Sequence, residues 1–263
     1  MSEYLHGYND VEFERLLHQA TFLAPFIFEK LDFSHACFVL EPGCGVGAQT
    51  KLLAEKNPNT QLVAFDREAT AIQKATEWLQ NWSDLQHQIQ FLHADAGQLK
   101  SKFENYFDTC YICWMLEHVT HPVDFLMGIK PLLKKDCQVY VTEVQNETLQ
   151  LFPNCHKTLR FWEAICAHQI SIGGDPYVGL KCAEYLEKAG YNNIVQIPYN
   201  IRLDSSNQEK LREMIEYWTN LMRSVSPYLP ENLWEGVEDE LIALAKQPDA
   251  YFSYTFIQTF ASL

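Results

Sequence analysis

Residues 38–56 read FVLEPGCGVGAQTKLLAEK: a short apolar run, three glycines within five positions (Gly43, Gly45 and Gly47), and then a helix-forming stretch. An apolar run that turns through glycines and resumes as a helix is the first half of a strand–turn–helix–strand unit, a turn that commonly holds a nucleotide-like ligand. Similar units follow. QLVAFD (61–66), IQFLHAD (89–95), FDTCYICW (107–114) and QVYVTEV (138–144) read as further strands, with helical patterns over 67–82 and 122–135. Strands that alternate with helices predict a parallel sheet covered on both faces, whose ligands lie at the carboxyl ends of the strands.

The flanking segments are helical. Phe13, Leu16, Leu17, Ala20, Ala24, Ile27 and Leu31 recur at helical spacing over 11–31, with Asn9 and Glu12 placed as a capping box and Pro25 as a kink. Residues 156–170 and 179–190 read as helices, the second closed by Gly190, and a strand follows over 193–201. Residues 207–247 are helical with a break at SPYLP, and YFSYTFIQTFASL (251–263) alternates as a last strand.

A net charge of −14 on 263 residues repels a phosphate backbone, which argues against a nucleic-acid substrate. The polar, acidic start MSEYLHGYNDVEFERL is unlike a signal peptide, and no apolar run spans a bilayer, so the expected location is cytoplasmic, with the eight cysteines reduced. Cys110 and Cys113 form a C-x-x-C inside an apolar run with no second pair at ligand spacing; they read as buried core thiols, and no metal site is expected.

Three ligands compete for the glycine turn. No lysine follows Gly47 as a phosphate-binding P-loop requires. Gly43, Gly45 and Ala48, with Asp66 downstream, formally meet the dinucleotide fingerprint. Glu41, two residues before the first glycine, argues against it, because a carboxylate repels a pyrophosphate and attracts the ammonium of S-adenosylmethionine (SAM). Asp66 ends the second strand, placed for ribose hydroxyls. Asp95 ends the third, placed for the adenine amino group with Ala96 N–H near a ring nitrogen.

The chain resembles the class I SAM-dependent methyltransferases in LEPGCGVG (40–47), the AFD ending in Asp66, HADA (93–96) and FDTCYICWMLEHV (107–119). YLHGY (4–8), RLLHQA (15–20), GCGVGAQT and GGDPYVG (173–179) are similar to a subgroup of stand-alone small-molecule methyltransferases, distantly like the quinone-biosynthesis C-methyltransferases. The resemblance implies a Rossmann-like α/β fold: a seven-stranded, mostly parallel sheet, its last strand antiparallel and inserted beside the fifth, with helices on both faces. It implies one methyltransferase domain over 1–263, with a lid and helix at 1–33, a SAM-binding core at 34–200 and 250–263, and a helical cap at 205–249. Gly43, Cys44, Gly45, Gly47, Gln49, Asp66, Arg67, Asp95 and Ala96 would then bind SAM together with Glu41, and Tyr8 and Gln19 would close over it.

Methyl transfer from a sulfonium is an in-line displacement that asks mainly for alignment and dryness. Cys113, Trp114 and His118 fall near the methyl end; His118 is the candidate base, whereas His121 reads as a loop residue. The fourth strand ends in CWML rather than the Asn/Asp-Pro-Pro-Tyr/Phe of nucleobase N-methylating enzymes. Tyr4, Trp162 and Tyr177 are expected to enclose a small organic acceptor, with Trp218 and Trp234 assigned to the core of the cap. An NAD(P)-dependent oxidoreductase is the alternative, which would call for a hydride-transfer dyad such as Tyr-x-x-x-Lys. A SAM-binding regulatory protein without turnover is the other.

Overall fold

The computed structural model describes Leu5 and residues 10–263. The anticipated N-terminal features at Tyr4, His6, Tyr8 and Asn9 lie outside the described residues.

Four apolar runs form parallel neighbours: β1 (Phe38–Pro42), β2 (Gln61–Asp66), β3 (Ile89–His93) and β4 (Phe107–Cys113). They are joined to β5 (Leu133–Val144) and β8 (Tyr251–Ser262) in the order β3–β2–β1–β4–β5–β8. β8 runs antiparallel to β5, pairing Phe256–Ser262 with Gln138–Val144, so the terminal strand takes the place expected of it. Its other edge carries β7 (Asn192–Leu203). An eighth strand, β6 (Gln150–Phe152), pairs with Tyr251–Ser253 of β8 and prolongs the edge that β5 leaves free. Three residues are too short to announce themselves as a strand, which is why the anticipated count was one lower.

Crossover helices cover both faces. α2 (Ala48–Lys56), α3 (Ala69–Leu79) and α5 (Pro122–Ile129) follow the expected pattern, and α4 (Ala96–Phe103) supplies a connection that the reading of 96–106 did not anticipate. The helix expected over 122–135 stops at Ile129: Lys130–Leu132 tighten into a 3₁₀ turn around Pro131, and Leu133 already belongs to β5. Proline inside a helix removes a donor and clashes with the preceding turn.

α1 (Asp10–Ile27), α6 (His156–Ser171), α7 (Cys182–Lys188) and α8 (Gln208–Val225) lie outside this alternation, followed by α9 (Glu231–Trp234) and α10 (Val237–Leu244). α8 buries Leu211, Met214, Ile215, Trp218, Met222 and Val225 along one stripe, the helical spacing that faces a core. It packs on α1, α6 and α10, so that residues 208–244 roof the carboxyl ends of the strands. α1 ends at Ile27 rather than Leu31, and the Gln258 amide of β8 donates to Ile27 O at 2.7 Å, pinning the helix end to the inserted strand. The C-x-x-C lies along β4, and residues three apart in a strand face opposite ways. Cys110 is therefore packed in one apolar cluster and Cys113 against the other.

Gln258 is buried, and its removal would leave the Ile27 carbonyl without that donor. Gln258→Leu is expected to cost about 1–3 kcal/mol, read as a lower urea midpoint at unchanged slope.

Candidate active site

A cavity of about 360 Å³ opens at the carboxyl ends of β1 to β5, beneath α1, α6 and α8, within the range of roughly 300–1,000 Å³ usual for ligand pockets. One lobe is built by the glycine turn. Gly43 (φ +68°) and Gly47 (φ +77°) both hold left-handed backbone, which side chains disfavour. A Cβ on Gly43 would lie 2.2 Å from Met115 Cγ, and one on Gly47 would lie 2.4 Å from Phe91 Cζ. Gly43, Cys44, Gly45 and Gln49 line the cavity. Gly47 does not: it is the N-cap of α2, pressed against Phe91, and shapes the turn from behind. The expectation that Gly47 contacts the ligand is corrected accordingly.

Three acids stand where the strands end. Glu41 is 3% exposed, and its Oε2 has no hydrogen-bond partner among the described residues. Burial pushes its carboxyl up to about 8; the nearby Thr50 hydroxyl opposes this and the Asp66 charge adds to it. Asp66 Oδ2 accepts from Gly45 N–H and Oδ1 from Glu68 N–H, both at 2.9 Å. These bonds fix the carboxylate and leave lone pairs on each oxygen; burial raises its pKa despite them. Asp95 caps α4 in a capping box, its own N–H donating to Gln98 Oε1 at 2.7 Å. Ala96, the first residue of α4, and Arg67 line the same lobe.

The segment after β4 separates this lobe from the second. Trp114 sits at φ +49°, left-handed geometry that costs a bulky residue about 1–3 kcal/mol. Its N–H donates to Thr142 O at 2.9 Å, while its indole Nε1 has no partner among the described residues. Glu143 of β5, fully buried, accepts from Met115 N–H at 2.8 Å and Leu116 N–H at 2.6 Å and so clamps the segment. Cys113, Trp114 and His118 all line the cavity. Burial, and then the Arg67 charge, push His118 down to about 4, which leaves a neutral imidazole at physiological pH.

The second lobe is aromatic. Trp162 lines it as expected; its indole donates to Asn146 O at 2.8 Å, and its ring meets Trp218 edge-on at 4.4 Å. Trp218, assigned to the cap core from the sequence, is also a cavity wall, packed on Tyr254 and Phe252. Trp234 does pack in the core, on Phe161 at 5.0 Å. Tyr177 is corrected: it is absent from the cavity wall, its N–H donating to Asp175 Oδ1 at 3.0 Å while its ring packs on the large apolar cluster.

Polar groups unassigned from the sequence complete the walls. Arg15 donates to Glu12 through Nε at 2.7 Å and Nη2 at 2.6 Å, and through Nη1 to Gln19 Oε1 at 2.6 Å. Gln19 thus lines the cavity as part of a chain of side chains on α1. Glu117 and Gln169 are joined across the lobe by a 2.7 Å hydrogen bond. Trp162, Ile165 and Gln169 stand three, then four residues apart on α6, one helical face, and that spacing was a usable signal.

Residues 33–222 match the family model described as a methyltransferase domain. The chain belongs to that family. The methyltransferase family and the Rossmann-like fold expected from the motifs are thereby borne out. Among solved structures, Haemonchus contortus phosphoethanolamine N-methyltransferase 2, in complex with phosphomonomethylethanolamine and S-adenosylhomocysteine, is 14% identical with a TM-score of 0.56, over 93% of this chain and 52% of that one. The methyltransferase domain described here therefore spans about half the length of the nematode enzyme. A Bacillus halodurans protein described as a methyltransferase is 14% identical with a TM-score of 0.57, over 94% and 97% of the two chains. Geranyl diphosphate C-methyltransferase of Streptomyces coelicolor, bound to Mg²⁺, geranyl diphosphate and S-adenosylhomocysteine, is 12% identical with a TM-score of 0.51, over 93% and 78%. No curated protein sequence matches. The narrower likeness to quinone-biosynthesis C-methyltransferases has no support from these matches.

Gly47 tests the turn independently of any ligand. Gly47→Ala combines a left-handed φ with a collision against Phe91 and is expected to cost about 1–3 kcal/mol, measured by urea unfolding of the ligand-free protein.

Proposed function

We propose that the cavity binds SAM in its glycine-lined lobe and presents the methyl group to a small organic acceptor in its aromatic lobe. The supporting observation is the buried carboxyl of Glu41, whose Oε2 has no partner among the described residues, beside a turn of close-packed glycines. A buried acid with a free oxygen suits the α-ammonium of SAM and opposes a dinucleotide pyrophosphate. In this reading Glu41 holds the ammonium, and Asp66, oriented by Gly45 and Glu68, accepts from the ribose hydroxyls. Asp95 and the Ala96 N–H, one of the unpaired donors of a helix start, take the adenine edge. Cys44, Gly45, Gln49 and Arg67 line the path between them, and Gln19 closes it from α1.

SAM supplies the activated methyl; the protein supplies alignment and a dry wall. Trp114, Trp162, Trp218 and Tyr254 exclude water from the acceptor lobe. His118, held neutral by burial and Arg67, can accept a proton from an acceptor that must lose one. A small acceptor fits the enclosure by α1, α6 and α8 and the charge of −14. The solved neighbours that act on phosphomonomethylethanolamine and geranyl diphosphate are small-molecule enzymes.

Calorimetry should show binding of SAM and S-adenosylhomocysteine and none of NADH; silence from the first two sinks the reading. Glu41→Ala should weaken SAM at least about tenfold, the scale of a lost charge-assisted hydrogen bond. The pH dependence follows from the raised carboxyl. With a pKa of about 8 in the free protein, Glu41 is mostly protonated at pH 7 and must lose a proton to hold an ammonium. SAM affinity is therefore expected to rise by nearly tenfold from pH 6 to 7 and by about fivefold from pH 7 to 8, with proton release visible in buffers of different ionisation enthalpy. Glu41→Gln should remove both effects.

A further inference from the structure

Glu117 and Gln169 form a polar pair in the wall of the cavity that Trp162 and Trp218 also line. Glu117 is 8% exposed and Gln169 1%. The Gln169 amide donates to Glu117 Oε2 at 2.7 Å, which fixes the amide's orientation and turns its own Oε1 away from that bond; this oxygen has no donor among the described residues. The pair is held from behind. Asp175 N–H donates to Glu117 O at 2.7 Å, and Gly174 packs so closely that a Cβ there would lie 2.7 Å from Glu117 O and 2.9 Å from Gln169 Cγ. The GGDP segment is thus a backstop with no room for a side chain.

The charge balance around this pair is negative. Arg15 is the cation facing Glu117 from α1, and its Nε and Nη2 are already engaged by Glu12, so these three groups leave one net negative charge. Asp175, on the loop after α6, is paired with Lys181 at 2.5 Å, and burial holds the Glu143 carboxyl of β5 well above the usual range, so neither changes this balance among the described residues. His118, with its Nε2 3.8 Å from Glu117 Oε1, is neutral, as are Tyr217 of α8 and Tyr254 of β8. Trp162, Trp218, Tyr217 and Tyr254 line the same cavity, and aromatic rings attract a cation. A buried carboxylate in the wall of a cavity lined by aromatic residues suits a ligand with an N–H donor and a positive charge.

We propose that the methyl acceptor is a primary or secondary amine with an apolar body, and that Glu117 is its counter-ion and proton acceptor. This rests on the methyltransferase reading of the cavity. The acceptor enters as an ammonium and transfers one proton to the Glu117 carboxylate. The freed nitrogen lone pair forms the N–C bond as the methyl–sulfur bond breaks, its electron pair staying on sulfur. The product is the methylated ammonium, and Glu117 returns its proton to water. Burial pushes the Glu117 carboxyl upward, which suits a group that takes and releases a proton near neutrality.

Three isosteric probes separate the possibilities: phenethylamine, 2-phenylethanol and phenylacetate, each titrated into the full chain saturated with S-adenosylhomocysteine. Binding is followed by tryptophan fluorescence, since Trp114, Trp162 and Trp218 line the cavity. The amine is expected to bind at least about tenfold tighter than the alcohol, the scale of a charge-assisted hydrogen bond, and the carboxylate not at all. E117Q should abolish the preference while S-adenosylhomocysteine affinity stays as in the wild type. An alcohol or acid that binds as well as the amine, an amine that does not bind, or a preference that survives E117Q overturns the proposal. Should E117Q fail to fold, the wild-type ranking decides alone. Loss of S-adenosylhomocysteine binding by the wild type would instead overturn the methyltransferase reading itself.

Discussion

A carboxylate buried at the end of a parallel strand, with no counter-charge of its own, is the constraint on which this structure turns. Glu41 can be tolerated there because it titrates upward when alone and because the glycine turn leaves a space beside it. The turn needs left-handed backbone at Gly43 and Gly47, and Asp66 holds that backbone by accepting from Gly45 N–H. Each element of the lobe is thus fixed by another. Stability is sacrificed locally, as expected where a site is prepared for a charged ligand.

A second buried acid carries the other half. Glu143 lies at the end of β5 and accepts from two consecutive amides of the segment after β4, which also carries the left-handed Trp114. Burial and the charge of Glu117 hold its carboxyl well above the usual range. Met115, from this clamped segment, fills the space that a side chain on Gly43 would need. The glycine turn and the segment that carries Glu117 therefore meet at Met115.

The core alternation was legible because strand and helix periods differ and because the Gly-rich turn punctuates them. Glu41, Asp66 and Asp95 were legible for the same reason: each ends a strand, so topology alone brings them to one edge. What the sequence did not disclose depends on contacts between distant segments. Glu117 reads as one more polar loop residue until Gln169, on α6, is seen to bond it. Trp218 belongs to a stripe that would be core in any amphipathic helix; only the hollow beneath α8 makes it a wall. Tyr177 fails in the opposite sense, since its ring packs on the large apolar cluster and is absent from the cavity wall. β6 is created by the free edge of β8 rather than by any propensity of its own.

The inserted strand has a consequence for the order of assembly. β1 to β5 pair with one another and need nothing beyond residue 144 to form a parallel sheet. Among the described residues β7 pairs only with β8, and Trp218 leans on Phe252 and Tyr254 of that same strand. β8 must also pair with β5 across 112 to 124 residues of chain, a contact of high sequence separation that is slow to form because the intervening chain must first be closed into a loop. The nucleoside half can therefore take shape while the aromatic half is still open, and it is the last dozen residues of the described chain that seal the chamber.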